Sequence, residues 1–379
     1  MDLPAWAPRL TDGVVTLRAH RPEDADAVTA QCRDPEMRRW TTVPVPYTRR
    51  DAQEWLAARQ REWTQGQALA FAVDVRGVFG GTVELRPDTA RGATIGYGLG
   101  PWARGQGVID RALRLLLSWG FDVLGLEVVH WQSVAGNWPS RRAAWRVGFR
   151  VEGTLRSLLP GRGTRYDAWV GSLLRGEPLQ PASVWWTAPV VDDRLVRLRP
   201  YRQTDVPRVV EACSDPLTRH WLSRLPVPYT ADDARAHLEH IGEEAAGGHS
   251  LTWAVADPDD DRLLGEVALF GLVEFGRGAE IGYWTHPAER GRGVMVAAVR
   301  LAARHALLPP DVGGLGRSRL VLRAAEANVP SRRVAVSAGF VESGRDRKAE
   351  VLGDGSVDDL IRFDLLAEEL DALGRSERA

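Results

Sequence analysis

Two stretches of this 379-residue chain set a strand-like run, a glycine-bearing turn and a helical run in the same order, an arrangement suited to holding a phosphate. In the first, Ile95-Gly-Tyr-Gly-Leu-Gly-Pro leads into Arg104, Gly105, Gln106, Gly107 and Val108. In the second, Ile281-Gly-Tyr-Trp-Thr-His-Pro leads into Arg290, Gly291, Arg292, Gly293 and Val294. A helix start presents unsatisfied backbone N–H groups and partial positive charge, and glycines let a diphosphate come close to them. One such loop is a weak signal; two in the same context are a strong one. Asp110 places a like charge near the first candidate cradle, whereas the second has Val296 there and an added cation, Arg292, so electrostatics favours the second.

Proton transfer would fall to carboxylates on the strands before these loops. The second stretch offers Glu266 and Glu280, matched in the first by Gly81 or Thr82 and by Thr94, while Glu84 belongs to the first alone. Strand alternation leaves open which of them face a cleft. His220, His237, His240, His249 and His286 have no metal-ligand spacing and there are only two cysteines, so no metal is expected. Neither cysteine sits in a nucleophile-like setting.

The elements that must position these groups occur twice. Cys32-Arg-Asp-Pro with Trp40 returns as Cys213-Ser-Asp-Pro with Trp221, and Pro44–Thr48 (PVPYT) returns at Pro226–Thr230. Asn137-Trp-Pro-Ser-Arg-Arg likewise returns as Asn328-Val-Pro-Ser-Arg-Arg. The spacing between copies grows along the chain, with Pro309–Arg317 one site of insertion. The paired cysteines read as equivalent buried positions in a reducing compartment. The break falls near residue 182, giving domains 1–182 and 183–379. Trp185 and Trp186 beyond it read either as an apolar plug between domains or as an added edge strand.

Each copy reads as mixed α/β. In the first, strands are expected at 14–18, 70–75, 79–85, 94–99, 128–132 and 167–173, and helices at 21–32, 52–63, 106–123 and 140–147. Two domains suit the length. A formal charge of −1 supplies no general field for nucleic acid, and the chain carries neither a signal-peptide pattern nor a membrane-length apolar run. A cytoplasmic protein without nucleic-acid or membrane partners is expected.

On these loops, and on an Asn followed three residues later by Ser and then by a helix ending in Gly-Phe, both halves resemble the GNAT superfamily. Within it they are similar to the branch that acetylates ribosomal-protein N-termini and includes some antibiotic-modifying enzymes. The resemblance implies two tandem GNAT domains, an α/β mixed-sheet fold, and acetyl-CoA or another acyl-CoA as cosubstrate, its pyrophosphate gripped by the two loops. It also implies pantetheine contacts from Asn137 and Asn328, and a proton for the departing thiolate from Ser140 or Ser331. A serine after proline at a helix start is equally an ordinary cap. The family's last small loop residue is replaced by Ile109 and Met295, which would bring bulk toward the phosphates. Some relatives carry a carboxylate nineteen residues beyond the Ser; Glu350 fills that place in the second half and Leu159 in the first, although Glu350 lies in what reads as a charged loop, 345–350. The resemblance thus implies catalysis in the second domain by Glu350 and Ser331, with Glu280, on the strand before the loop, as the further catalytic candidate. The acceptor would be a small-molecule primary amine or a protein N-terminus. A non-catalytic CoA-binding scaffold or sensor is the alternative. Because many relatives dimerise, a monomeric chain packed as an internal pseudo-dimer is also implied.

Overall fold

The computed structural model describes residues 4–370. The chain divides into two compact units between Ala182 and Ser183. In the first unit the strands run, in spatial order, Leu10–Thr11, Val15–Arg18, Leu69–Val75, Val78–Pro87, Gly92–Leu99, Val128–Val134, Arg165–Leu174 and Arg150–Pro160. The second unit repeats this with Val191–Asp192, Arg197–Arg199, Leu251–Ala256, Leu263–Phe270, Gly278–Thr285, Arg319–Ala325, Val357–Leu366 and Val341–Val351. Neighbours are antiparallel except for one pair in each sheet: Gly92–Leu99 beside Val128–Val134, and Gly278–Thr285 beside Arg319–Ala325. Each unit is therefore an α/β mixed-sheet domain.

Alternation along the strands gives each sheet two buried faces. In the first unit Phe71 and Val73 turn toward helix Val108–Asp122, where Trp119 meets Phe71 edge-on at 5.2 Å, while Ala72 and Phe79 meet helices Ala25–Arg33 and Arg49–Thr64. In the second unit Val255 and Val267 face the alanine-rich helix Val294–Leu307, and Ala254 and Leu263 face Val206–Ser214 and Ala231–Gly247. Cys32 and Cys213 are free, buried thiols at matching places in helices Ala25–Arg33 and Val206–Ser214.

Three elements differ from the sequence reading. The Asp-Pro of each repeat starts a short helix, Pro35–Trp40 or Pro216–Trp221, capped by Asp34 on the Met37 N–H and by Asp215 on the Thr218 N–H. Residues 345–350 are not a loop: they lie in strand Val341–Val351, whose charges suit an exposed sheet edge. Trp186 packs on the second unit's own core and donates its indole N–H to the Gly248 carbonyl at 2.8 Å.

A buried arginine ties the sheet to the first helix in each unit. Arg18 meets both oxygens of Asp24 at 2.8 and 2.9 Å and Asp74 at 3.0 Å. Arg199, 1% exposed, meets both oxygens of Asp205 at 2.8 Å and Asp261 at 2.9 Å. Removing one partner strands a buried charge. Asp205→Ala is accordingly expected to cost about 3–5 kcal/mol, read as a lowered urea midpoint for the second unit's transition in the full chain.

Candidate functional site

At the start of helices Val108–Asp122 and Val294–Leu307 the N-cap is a glycine in the left-handed region, Gly107 (φ 70°) and Gly293 (φ 76°), and no side chain caps the first turn. Gly105 and Gly291 are left-handed too, and a Cβ at any of these four positions would project into open space. Each loop therefore offers uncapped N–H donors on a face clear of protein atoms, the geometry of an anion cradle.

The side chains around the cradle correct several expectations. Arg104 donates to Asp34 at 2.6 Å and to the Leu99 carbonyl at 3.1 Å, and Arg290 donates to Asp215 and Thr218 at 2.6 and 2.7 Å. Against the burial that would raise them, these guanidinium groups hold both Asp34 and Asp215 below the ordinary carboxyl range. Both arginines thus staple the loop to the Asp-Pro helix start. Arg292 is not a free cation, because it pairs at 2.5 Å with Glu289, a 1%-exposed carboxylate that also takes Arg262 at 2.8 Å and Arg208 at 3.1 Å. Asp110 is partly offset by Arg146 at 3.4 Å, and Gln106 donates to the Trp102 carbonyl. Val108, Val294 and Met295 are buried and Ile109 packs on the core, so the bulk at the last loop position points inward and leaves the cradle open.

Beside each cradle the parallel strands part. Their ladder covers only Gly92–Thr94 in the first unit and Gly278–Ile281 in the second, so the edges of Ile95–Leu99 and Gly282–Thr285 on that side are unpaired. Alternate backbone groups there face the gap. A tyrosine and a serine face each other beside it. The Tyr97 hydroxyl lies 3.1 Å from Ser140 Oγ and donates to its carbonyl at 2.8 Å; Tyr283 lies 3.0 Å from Ser331 Oγ and donates to its carbonyl at 3.0 Å. The cap of the following helix is the asparagine, Asn137 Oδ1 accepting from the Ser140 N–H at 3.3 Å and Asn328 Oδ1 from the Ser331 N–H at 3.2 Å. Capping thus falls to Asn, and the serine hydroxyl meets the tyrosine. Burial pushes the Tyr283 hydroxyl up to about 12, the Ser331 bond opposing it.

The two units diverge on the opposite sheet face. Glu280 gives both oxygens to Arg323, one at 3.0 Å to Nε. The Glu280 bonds, then the nearby charges of Glu350 and Asp346, raise the Arg323 guanidinium further. Glu350 sits on the edge strand opposite Asp358 and among the described residues takes no side-chain hydrogen bond. The strand registers match Glu280 with Thr94, Arg323 with Gln132, Asp346 with Leu155 and Glu350 with Leu159. Glu266, opposite Trp284, matches Thr82, opposite Gly98. Glu84 matches Ala268 instead and is tied to Arg86, with Arg59 at 3.8 Å.

Glu266 belongs to a set that sequence reading missed. Its Oε2 accepts from the Tyr201 hydroxyl at 2.7 Å and lies 2.8 Å from His237 Nε2. In the first unit the same places hold His20, Trp55 and Thr82, with His20 Nε2 3.1 Å from Thr82 Oγ1 and its ring edge-on to Trp55 at 5.0 Å. Burial pulls His20 down to about 3, while for His237 the Glu266 carboxylate outweighs burial and raises it above its ordinary value. The recurring Ile-Gly-Tyr was a signal for Tyr97 and Tyr283; nothing local marked Tyr201, His237 or Arg323. Among the described residues no cluster of metal-ligating side chains occurs and no helix is long and apolar enough to cross a membrane.

A family model described as an acetyltransferase (GNAT) domain matches residues 15–150 and again 195–341. The chain is 30% identical over 168 residues, 43% of its length and 94% of the relative's, to the N-acetyltransferase p20 of Bacillus licheniformis, itself uncharacterized. It is 27% identical over 95 residues, 25% of its length and 50% of the relative's, to the ribosomal-protein-serine acetyltransferase of Escherichia coli K12. The solved Mycobacterium smegmatis RimJ, in complex with CoA-disulfide, aligns over 46% of this chain and 90% of its own at 24% identity, with a TM-score of 0.42.

The two histidines link pH to stability with opposite signs. His20 stays neutral when folded but protonates when unfolded near its ordinary 6.5, so acidification below that value destabilises the first unit. The His237 contribution is fully present below its unfolded value and fades as pH rises through its raised folded one. Histidine NMR titration should find His237 titrating above 6.5 and His20 uncharged at pH 5, with Glu266→Gln bringing His237 below 6.5 because only burial then acts on it.

Proposed function

The chain belongs to the GNAT acetyltransferase domain family, and from that premise we propose that it transfers an acetyl group from acetyl-CoA to a primary amine, with turnover in the second unit. The observation that carries this reading is the contrast between matched positions: Glu280, Arg323 and Glu350 in the second unit against Thr94, Gln132 and Leu159 in the first. The cradles fit a CoA diphosphate, since their first-turn N–H groups are uncapped and Cβ positions at the glycines meet nothing. When bound, the cosubstrate supplies an activated acyl thioester.

This chain's residues divide the remaining work. The amides following Gly293 hold the diphosphate, and the unpaired edge of Gly282–Thr285 lines the acyl arm and offers backbone N–H to developing negative charge on the acyl oxygen. Glu350, free of hydrogen-bonded partners among the described residues, accepts the proton of the incoming ammonium. Glu280, with both oxygens on Arg323, holds that guanidinium in place within reach of the Glu350 charge. Ser331, in contact with Tyr283, donates its hydroxyl proton to the leaving sulfur and regains the one that the attacking nitrogen sheds as the amide forms, and Asn328 fixes the helix that presents it. The acceptor is a small amine or a protein N-terminus.

Glu350→Gln is expected to lower kcat by about 10²-fold or more with the KM for acetyl-CoA little changed, read as CoA thiol release with an amine panel. Unchanged turnover in Glu350→Gln would remove the assignment of the second unit, and binding without turnover in the wild type would favour an acyl-CoA sensor.

A further inference from the structure

The Tyr201–Glu266–His237 set has no part in the chemistry above, and its charge and placement give it another. Glu266 is 8% exposed, yet only Oε2 is hydrogen-bonded; Oε1 has no partner among the described residues and is not among the sealed, unsatisfied atoms. It lies beneath helix Ala231–Gly247 on the same sheet face as Trp284 and Glu280, alternate residues of the two paired strands sharing that face. A nearly buried carboxylate with one open oxygen is costly unless a donor completes it. Its neighbours supply no further charge. Burial and the Glu266 charge push the Cys213 thiol up to about 12, Tyr201 and Tyr229 are likewise raised, and Asp205 is committed to Arg199. His237 is the only counter-charge facing it among these groups, and its side chain is partly exposed. In the first unit the three positions change together to His20, Thr82 and Trp55, so that fold stands without a carboxylate there.

We propose that Glu266, held by Tyr201 and His237, anchors a second cationic group of the acceptor, so that the second unit prefers amines carrying another ammonium or guanidinium group away from the one acetylated. This rests on the second unit acetylating amines. The acceptor cation competes with the His237 proton: when His237 is charged the pair is neutral, and when it loses its proton the carboxylate is left to the acceptor. Binding of such an acceptor therefore strengthens as pH rises through the His237 titration.

The test compares α,ω-diaminoalkanes with matching monoaminoalkanes in thiol release by the full chain with acetyl-CoA. The wild type should prefer the best diamine by about tenfold or more in kcat/KM, the range of a charged hydrogen bond, with the preference held in KM. Glu266→Gln should bring that ratio near one, and His237→Gln should flatten the pH dependence of the diamine KM. A ratio unchanged in Glu266→Gln, or a loss falling on kcat equally for both acceptors, overturns the anchor. Calorimetry of diamines with wild type and Glu266→Gln separates the two readings. Should no amine be turned over, diamine binding that weakens in Glu266→Gln sustains the anchor while the acetyltransferase reading fails; equal binding by both proteins refutes the anchor. If Glu266→Gln melts early, the pH dependence in His237→Gln decides alone: a KM that still falls with rising pH contradicts the proposal.

Discussion

Both sites depend on helix starts that no side chain caps. A helix opening on Ser, Thr, Asp or Asn would satisfy one of its free N–H groups and gain about 1 kcal/mol; here the place goes to Gly107 and Gly293 in left-handed backbone, and the donors stay open. Such a loop needs holding from outside. Arg104 and Arg290 do this by reaching back to Asp34 and Asp215, the same carboxylates that cap the short helices after Cys-x-Asp-Pro. One aspartate thus joins two parts of each repeat that lie far apart in sequence, and the arginine that sequence assigns to phosphate is engaged with protein.

The duplication serves as an internal control on which residues build the fold and which do chemistry. Both copies keep the buried Arg–Asp tie, the stapled cradle, the parting parallel strands, the Asn cap and the Tyr–Ser contact. These are positions where backbone geometry sets the requirement. The positions of Glu266, Glu280 and Arg323 obey no such constraint: the first unit puts Thr82, Thr94 and Gln132 there and carries its own ion pair, Glu84 with Arg86, elsewhere on that face.

Much of this was legible in sequence because the signals are local. Alternation, glycine placement and the repeated strings locate the strands and cradle helices, and Asn137 and Asn328 stand where their pattern puts them. What was not legible depends on pairing across the sheet. Whether Glu266 answers to Gly81 or Thr82 is set by its register against Trp284 and Gly98, which no local pattern encodes. The charge-rich run around Glu350 resembles a loop because an exposed edge strand has no buried face to impose alternation. The inward turn of Ile109 and Met295 follows from helix phase against the core. The loss of Arg292 as a free cation follows from Glu289, whose burial among three arginines is a tertiary fact.

The open helix start is tested most directly by isothermal titration of acetyl-CoA onto the wild type, Gly107→Val and Gly293→Val. A β-branched side chain at these left-handed positions both strains the loop and fills the space over the amides. Two sites per chain in the wild type, with one lost in each variant, is the result the account predicts. Uptake indifferent to both substitutions, or none by the wild type at millimolar ligand, would contradict it.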